Sequence, residues 1–266
     1  MRLNIRHQTV YSYDQPVSYA LQQLRLRPKS RAGQEIVNWA VTVDGGKHEL
    51  AFEDEHANAV DLVSVVPGGT QITVTCEGIV DVENKAGVVG KQGGHVPLWL
   101  FRRTTPLTAA GRGISKLVVP FEGRDPDLQC LHDLSDQIRG QIPFSTDQTE
   151  SDLGAEDVIA AGHGVCQDHA HVFIAAARAL GCPARYVSGY LMMNDRIDQT
   201  ATHAWAEAHL PELGWVGFDV SNGYSPDDRY VRVATGLDYN QAAPISGMRF
   251  GQGNEKLHVE LQVQQQ

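Results

Sequence analysis

Gly162-His163-Gly164-Val165-Cys166-Gln167-Asp168-His169-Ala170-His171 is the stretch on which the reading of this chain turns. From it, Cys166, Ala170, Phe173, Ala177 and Leu180 fall at i, i+4, i+7, i+11 and i+14, one face of a helix that Gly181 stops. A thiol then sits at a helix N-terminus, on the face turned toward a core, behind glycines that permit an unusual backbone. Unpaired N–H groups and the macrodipole favour a thiolate there, and the same N–H groups can hold an oxyanion on whatever it attacks. A free cysteine is otherwise a small, inert hydrophobe. The nucleophile reading therefore requires a base and an orienting carboxylate within reach.

Downstream, Thr202-His203-Ala204-Trp205-Ala206-Glu207-Ala208-His209-Leu210 alternates cleanly, with His203, Trp205, Glu207 and His209 on one face. The turn Pro211-Glu212-Leu213-Gly214 leads into Trp215-Val216-Gly217-Phe218-Asp219, so an antiparallel hairpin is predicted. Folding it brings Asp219 alongside His203 to within about two residues of register. Each could be an ordinary strand histidine or a turn aspartate; the order of helix-start Cys, then strand His, then strand-end Asp is what chance seldom supplies.

Working outward, the pattern before residue 84 is all-β. Leu3 to Tyr13, Gln34 to Val43, Val60 to Val66 and Gln71 to Val82 are rich in β-formers, and Asp44-Gly45-Gly46 and Pro67-Gly68-Gly69 separate them. A small sandwich is expected. A glycine-rich stretch with Gly87, Gly90, Gly93 and Gly94 follows, and Thr104 to Gly113 reads as a connection; the boundary is placed between a domain at 1–95 and another at 96–266. Helical spacing then covers Asp127 to Arg139 and Ala155 to Ala161, and strands follow at Ala184 to Met192, Thr202 to Leu210, Trp215 to Val220, Tyr230 to Ala234 and Lys256 to Val263. The fold class is α+β after an all-β, sandwich-like domain.

With 266 residues, 42% hydrophobic and 20% charged, the chain can build a packed core, and its net charge of −10 excludes a dominant basic field for nucleic acid. The acidity is uneven: 13 basic against 11 acidic residues up to Val119, 9 against 21 from Pro120 onward. It surrounds the candidate site, and a peptide or protein substrate of neutral or cationic character is the expected partner. No apolar run approaches the roughly 20 residues that span a bilayer, and the N-terminus has no signal-like apolar region, so no membrane association and a cytoplasmic location are expected. Cys76, Cys130, Cys166 and Cys182 form no Cys-x-x-Cys pair. Arg25, Arg27, Lys29 and Arg31 make a small basic cluster, read as either a surface for an acidic partner or a solvated strand edge.

Gly164-Val165-Cys166-Gln167-Asp168, then Ala179-Leu180-Gly181-Cys182-Pro183-Ala184-Arg185-Tyr186-Val187-Ser188-Gly189-Tyr190, His203-Ala204-Trp205 and Gly214-Trp215-Val216-Gly217-Phe218-Asp219 together resemble the core of the transglutaminase-like cysteine enzymes. More narrowly, the chain resembles the bacterial branch that carries an extra N-terminal β domain. The resemblance implies a papain-like core with Cys166 as nucleophile, His203 as general base and acid, and Asp219 as orienting carboxylate. Three positions depart from the branch. His169 stands where Phe is usual, Val220-Ser221 replaces Pro-Thr, and Phe144 stands where Tyr is common. The first adds an imidazole one helical turn from the thiol; a local, non-catalytic role is expected for it.

The implied chemistry is thiol-dependent acyl transfer, with hydrolysis of a peptide or isopeptide-type amide expected, and glutamine cross-linking or a non-catalytic peptide-binding module as alternatives. The backbone N–H of Cys166 is one oxyanion donor; Gln167, the Trp205 indole or a residue upstream of Cys166 are candidates for a second. A zinc site built from Cys166, His169, His171, His203 and His209 is the rival from another class. His169 and His171 are two apart on a helix and point about 200° apart, so they cannot share one ion. The resemblance brings calcium to mind through the animal enzymes, but no Asp-x-Asp-x-Asp-Gly loop occurs. No cofactor and no required metal are expected.

Overall fold

The computed structural model describes residues 1–93, 96–146, 153–250 and 253–266. Gly94 and the expected boundary at residue 95 lie outside them. Among the described residues the strands are β1 Arg2–Tyr13, β2 Tyr19–Arg27, β3 Gln34–Asp44, β4 Gly46–Glu53, β5 Ala59–Val65, β6 Gln71–Val82, β7 Val88–Gly90, β8 Ala184–Leu191, β9 Asp198–Gln199, β10 His203–Leu210, β11 Gly214–Phe218, β12 Tyr230–Gly236, β13 Ile245–Phe250 and β14 Glu255–Gln265. The α-helices are α1 Arg112–Val118, α2 Leu128–Gln141, α3 Ala155–Ala161, α4 Cys166–Ala179 and the single turn α5 Tyr239–Ala242.

Two sheets form the expected sandwich, one ordered β3-β6-β1-β14-β9 and the other β13-β2-β5-β4. Alternation decides which residues meet between them: Leu3 and Ile5 of β1, Leu24 and Leu26 of β2, Val63 and Val65 of β5, and Ile72, Val74 and Val80 of β6 are buried in one cluster. Each such side chain contributes about 1.5–3 kcal/mol by leaving water.

The third sheet, β12-β8-β10-β11-β7, carries α4 against it. Ala204, Ala206 and Ala208 present small side chains that share a core with Ala170, Phe173 and Ala177, so the helix lies close to β10. Arg178, near the end of α4, is buried and holds the surroundings together: its guanidinium donates to the carbonyls of Phe101, Ala184 and Leu237 and to the Thr108 hydroxyl.

Strand pairing does not follow the expected division into 1–95 and 96–266. β13 pairs with β2 and β14 pairs with β1 along most of its length, so the last strands complete both sandwich sheets, while β7 from the first segment pairs with β11. The cores also interlock, because Tyr190, Val231 and Val233 of the third sheet are buried with the sandwich residues. No described helix is long and apolar enough to cross a membrane.

The basic cluster of the β2 region meets neither expectation. Arg25 pairs with Asp54 at 3.1 Å, Arg27 with Asp61 at 2.6 Å and Lys29 with Glu53 at 2.7 Å, so three of the four charges are spent within the molecule. Among the described residues Arg31 has no such carboxylate partner.

Candidate active site

α4 begins at Cys166 behind Val165, whose extended backbone serves as N-cap and whose N–H donates to Asp168 Oδ2 at 2.9 Å. Asp168 folds back onto Gly164, where an added Cβ would meet the Asp168 Cβ at 2.8 Å, so the glycine is required by close approach. Gly162, at φ +71°, ends α3 in the left-handed conformation and redirects the chain into this turn. Cys166 is partly exposed; Cys76, Cys130 and Cys182 are buried. Burial pushes the thiols of Cys76 and Cys182 up to about 11 and raises that of Cys130.

The β10–β11 hairpin forms as predicted, with Ala206 opposite Phe218. Asp219 therefore lies just beyond β11 and two residues short of facing His203, inside the expected tolerance, and its Oδ2 accepts from His203 Nε2 at 2.6 Å. Burial opposes a charged ring, yet the charges of Cys166 and Asp219 and their hydrogen bonds with it outweigh that and push the His203 imidazole up to about 10. One ring nitrogen of His203 is thus held by Asp219, and Cys166 lies near enough to contribute to the upward shift of the same ring.

Asp219 is buried, and a bare carboxylate there would be costly. Burial works to raise it, but His203, Tyr230 and Asn222 together hold it below the usual carboxylate range. The Tyr230 hydroxyl donates to Oδ2 at 2.6 Å, Asn222 Nδ2 donates to Oδ2 at 2.7 Å, and the Asn222 backbone N–H donates to Oδ1 at 3.2 Å. Neither supporter was singled out from sequence. Asn222 follows Asp219 in a Ser-Asn-Gly turn and could have been found there; Tyr230 arrives on a different strand and leaves no local signal.

The secondary candidates fall as follows. Trp205 is buried, stacks on His203 with ring centroids 6.2 Å apart and meets Tyr230 edge-on at 5.4 Å, forming a wall beside the imidazole. Gln167 occupies the second position of α4 and is partly exposed. His169 does not face solvent: Nδ1 pairs with Ser221 Oγ at 2.7 Å and Nε2 donates to the Ile142 carbonyl at 2.8 Å. Phe144 lies against the same ring at 6.4 Å. All three departures from the branch pattern therefore meet in one contact group, which ties α4 to the segment after Asp219. His171 is buried on the other side of the helix, accepts the Tyr239 N–H at 3.2 Å, and is pushed down to about 3 by burial. His209 packs on Trp215. Among the described residues, no three His, Cys, Asp or Glu side chains gather in a metal-binding cluster.

Residues 115–220 match the Transglutaminase-like superfamily, and residues 3–81 match the Bacterial transglutaminase-like N-terminal region. The chain belongs to the transglutaminase-like superfamily. This transglutaminase-like protein is 28% identical over 273 residues to an uncharacterised protein of Mycobacterium tuberculosis, covering 93% of this chain and 87% of that one. Over 102 residues it is 31% identical to a protein-glutamine gamma-glutamyltransferase of Pseudomonas aeruginosa, a match covering 33% of this chain and 15% of that protein. The crystal structure of a "Putative Cysteine Protease" from Cytophaga hutchinsonii superposes with a TM-score of 0.78 at 22% identity, covering 100% of this chain and 91% of that one. At that identity the likeness is one of fold. The expected class, a transglutaminase-like fold behind a β-rich N-terminal region, holds.

Proposed function

We propose that Cys166, His203 and Asp219 form a catalytic triad for acyl transfer through a thioester, ending in hydrolysis of a peptide or isopeptide-type amide. The observation that supports this reading is the single imidazole held by a buried carboxylate at 2.6 Å, with the one partly exposed thiol, at a helix start, acting electrostatically on the same ring. His203 already holds the proton given up by the Cys166 thiol, and Cys166 Sγ bonds to the amide carbonyl carbon. The Cys166 backbone N–H donates to the resulting oxyanion. His203 then gives its proton to the leaving nitrogen as the C–N bond breaks. Water, deprotonated by His203, attacks the thioester, the acid departs and the thiol is restored. A primary amine in place of that water would give a transferase, a second reading that the resemblance to the P. aeruginosa gamma-glutamyltransferase supports.

The test begins with a thiol-alkylating probe near neutral pH, for which one adduct per chain, on Cys166, is expected, because the other three thiols are buried and held protonated. Equal labelling of Cys76 or Cys130 in the native protein would refute the nucleophile. Wild type and Cys166→Ala are then compared on a panel of amide substrates, with and without a primary amine, and the products are weighed. Activity that survives Cys166→Ala and is lost to a chelator would replace the thiol mechanism with a metal-dependent one.

A further inference from the structure

Glu207, on the same strand face as His203, is completely buried and carries more positive charge around it than it can neutralise. Arg185 Nε donates to Glu207 Oε2 at 2.6 Å and an Arg232 Nη donates to the same oxygen at 3.0 Å, while Arg232 Nε lies 2.7 Å from Oε1 as an ion-pair contact outside hydrogen-bond geometry. Arg185 is further fixed over the Trp215 ring at 3.8 Å. A third guanidinium, that of Arg31, feels Glu207 and Arg185 electrostatically, yet no carboxylate among the described residues pairs with it, and its enclosed Nε has no hydrogen-bond partner. A guanidinium stays charged in a protein, so this leaves a partly desolvated cation in want of an anion.

Arg31 does not point into packed core. Together with Arg232, Glu207, Trp205 and Tyr230 it lines a groove between the β2–β3 connection and the third sheet. The other charges on its rim are spoken for: Glu83 pairs with Lys85 at 2.6 Å, and Asp227 with Arg229 at 2.6 Å. Two of the lining residues, Trp205 and Tyr230, are also the aromatic neighbours of His203. An anion beside Arg31 would thus sit one aromatic layer from the proposed catalytic imidazole. The acidic balance of the whole chain does not govern this groove, which is set by a few charges at close range in a low-dielectric setting.

Resting on the acyl-transfer reading, we infer that the groove is a subsite for a carboxylate of the peptide substrate, with Arg31 as its anchor. Of the Arg31 nitrogens only Nε is enclosed, so the paired Nη–H groups are what the planar guanidinium offers to a carboxylate, with the Nε–H reporting on the same delocalised group. A free inorganic oxyanion offers the same chemistry, so the two sources are separated by experiment. In the wild-type protein, the Arg31 Nε–H resonance is followed by NMR while acetate, acetamide or inorganic phosphate is added. Acetate and phosphate are expected to shift it and acetamide to leave it in place. In parallel, kcat and KM are measured for matched N-acetylated peptides that differ only as Asp or Asn. The Asp peptide is expected to have a KM lower by about tenfold, a preference reduced toward parity by added acetate and erased in Arg31→Gln, with kcat little changed.

A silent Nε–H resonance overturns the anion site. A responsive resonance without peptide discrimination, or discrimination that survives Arg31→Gln, overturns the substrate carboxylate and leaves a free-anion site. Because the resonance needs neither Arg31→Gln to fold nor any turnover, an unreactive Cys166 alongside a responsive Arg31 would sink the catalytic reading while the anion site stands.

Discussion

Asp219 shows how many groups are needed to keep one buried carboxylate ionised. His203, Tyr230 and Asn222 all donate to it, and the first of these is itself charged by the arrangement. Since His203 is raised to about 10, the ring keeps its proton across neutral pH and loses it as pH climbs through that value. Acylation measured as kcat/KM is expected to fall on the alkaline side near pH 10, where no proton remains for the leaving amine. Tyr230→Phe removes one donor and should cost roughly tenfold in kcat/KM while moving that alkaline limb, and a stopped-flow pH series on both proteins measures the two effects together. An unmoved profile would reduce Tyr230 to packing. The His169–Ser221 pair makes a second case. His169→Phe should destabilise by about 1–3 kcal/mol through loss of the bonds to Ser221 and to the buried Ile142 carbonyl. In a double-mutant cycle with Ser221→Ala, a coupling of at least about 0.5 kcal/mol is expected; strict additivity would mean the two side chains do not act on one another.

Among the elements, those with a strong local pattern were legible and those held by distant partners were not. α4 and the β10–β11 hairpin lie where the apolar spacing and turn residues put them, as do β1, β3, β5 and β6. β4 and β13 were missed because they are edge strands whose side chains are largely exposed, so no alternation marks them. In β2 the buried positions include Gln22 and, on the opposite face from Leu24 and Leu26, Arg25, which hide the period. The segment read as a connection up to Gly113 contains the start of α1, which is capped from another helix: Glu156 of α3 accepts the N–H groups of Gly111, Gly113 and Ile114 at 2.7–2.8 Å. Glu156→Ala should therefore destabilise by about 1–2 kcal/mol, more than an ordinary surface substitution, and raise amide exchange over α1 first. Uniform exchange across the helices would contradict a local cap.

For the molecule as a whole, the sandwich and the third sheet share buried groups that respond to pH in opposite directions. His7, inside the sandwich, pairs with Tyr190 of β8 at 3.0 Å and with Thr9 at 3.1 Å, and burial pushes it down to about 4. His171 is pushed down to about 3 for the same reason. Both are neutral when folded, so stability present above about pH 6.5 is lost as pH falls from there toward those values, by on the order of 3 kcal/mol for His7. His203, raised to about 10, contributes stability that is complete below about pH 6.5 and lost as pH rises toward 10. Denaturant midpoints measured from pH 4 to 10 should therefore peak near neutrality, and His7→Phe should flatten the acid limb. An unchanged acid limb would place the loss elsewhere.

Periodicity and punctuation alone determined that a helix starts at Cys166 and that a hairpin brings Asp219 back toward His203, because both are short-range consequences of side-chain spacing. Residue types along one chain could also nominate a thiol, an imidazole and a carboxylate. Tertiary structure decided the rest, since each remaining feature depends on atoms distant in sequence. It put Tyr230 on Asp219, drew the final two strands back into both sheets of the sandwich, and left Arg31 without a carboxylate partner among the described residues, beside a carboxylate that two other arginines had already claimed.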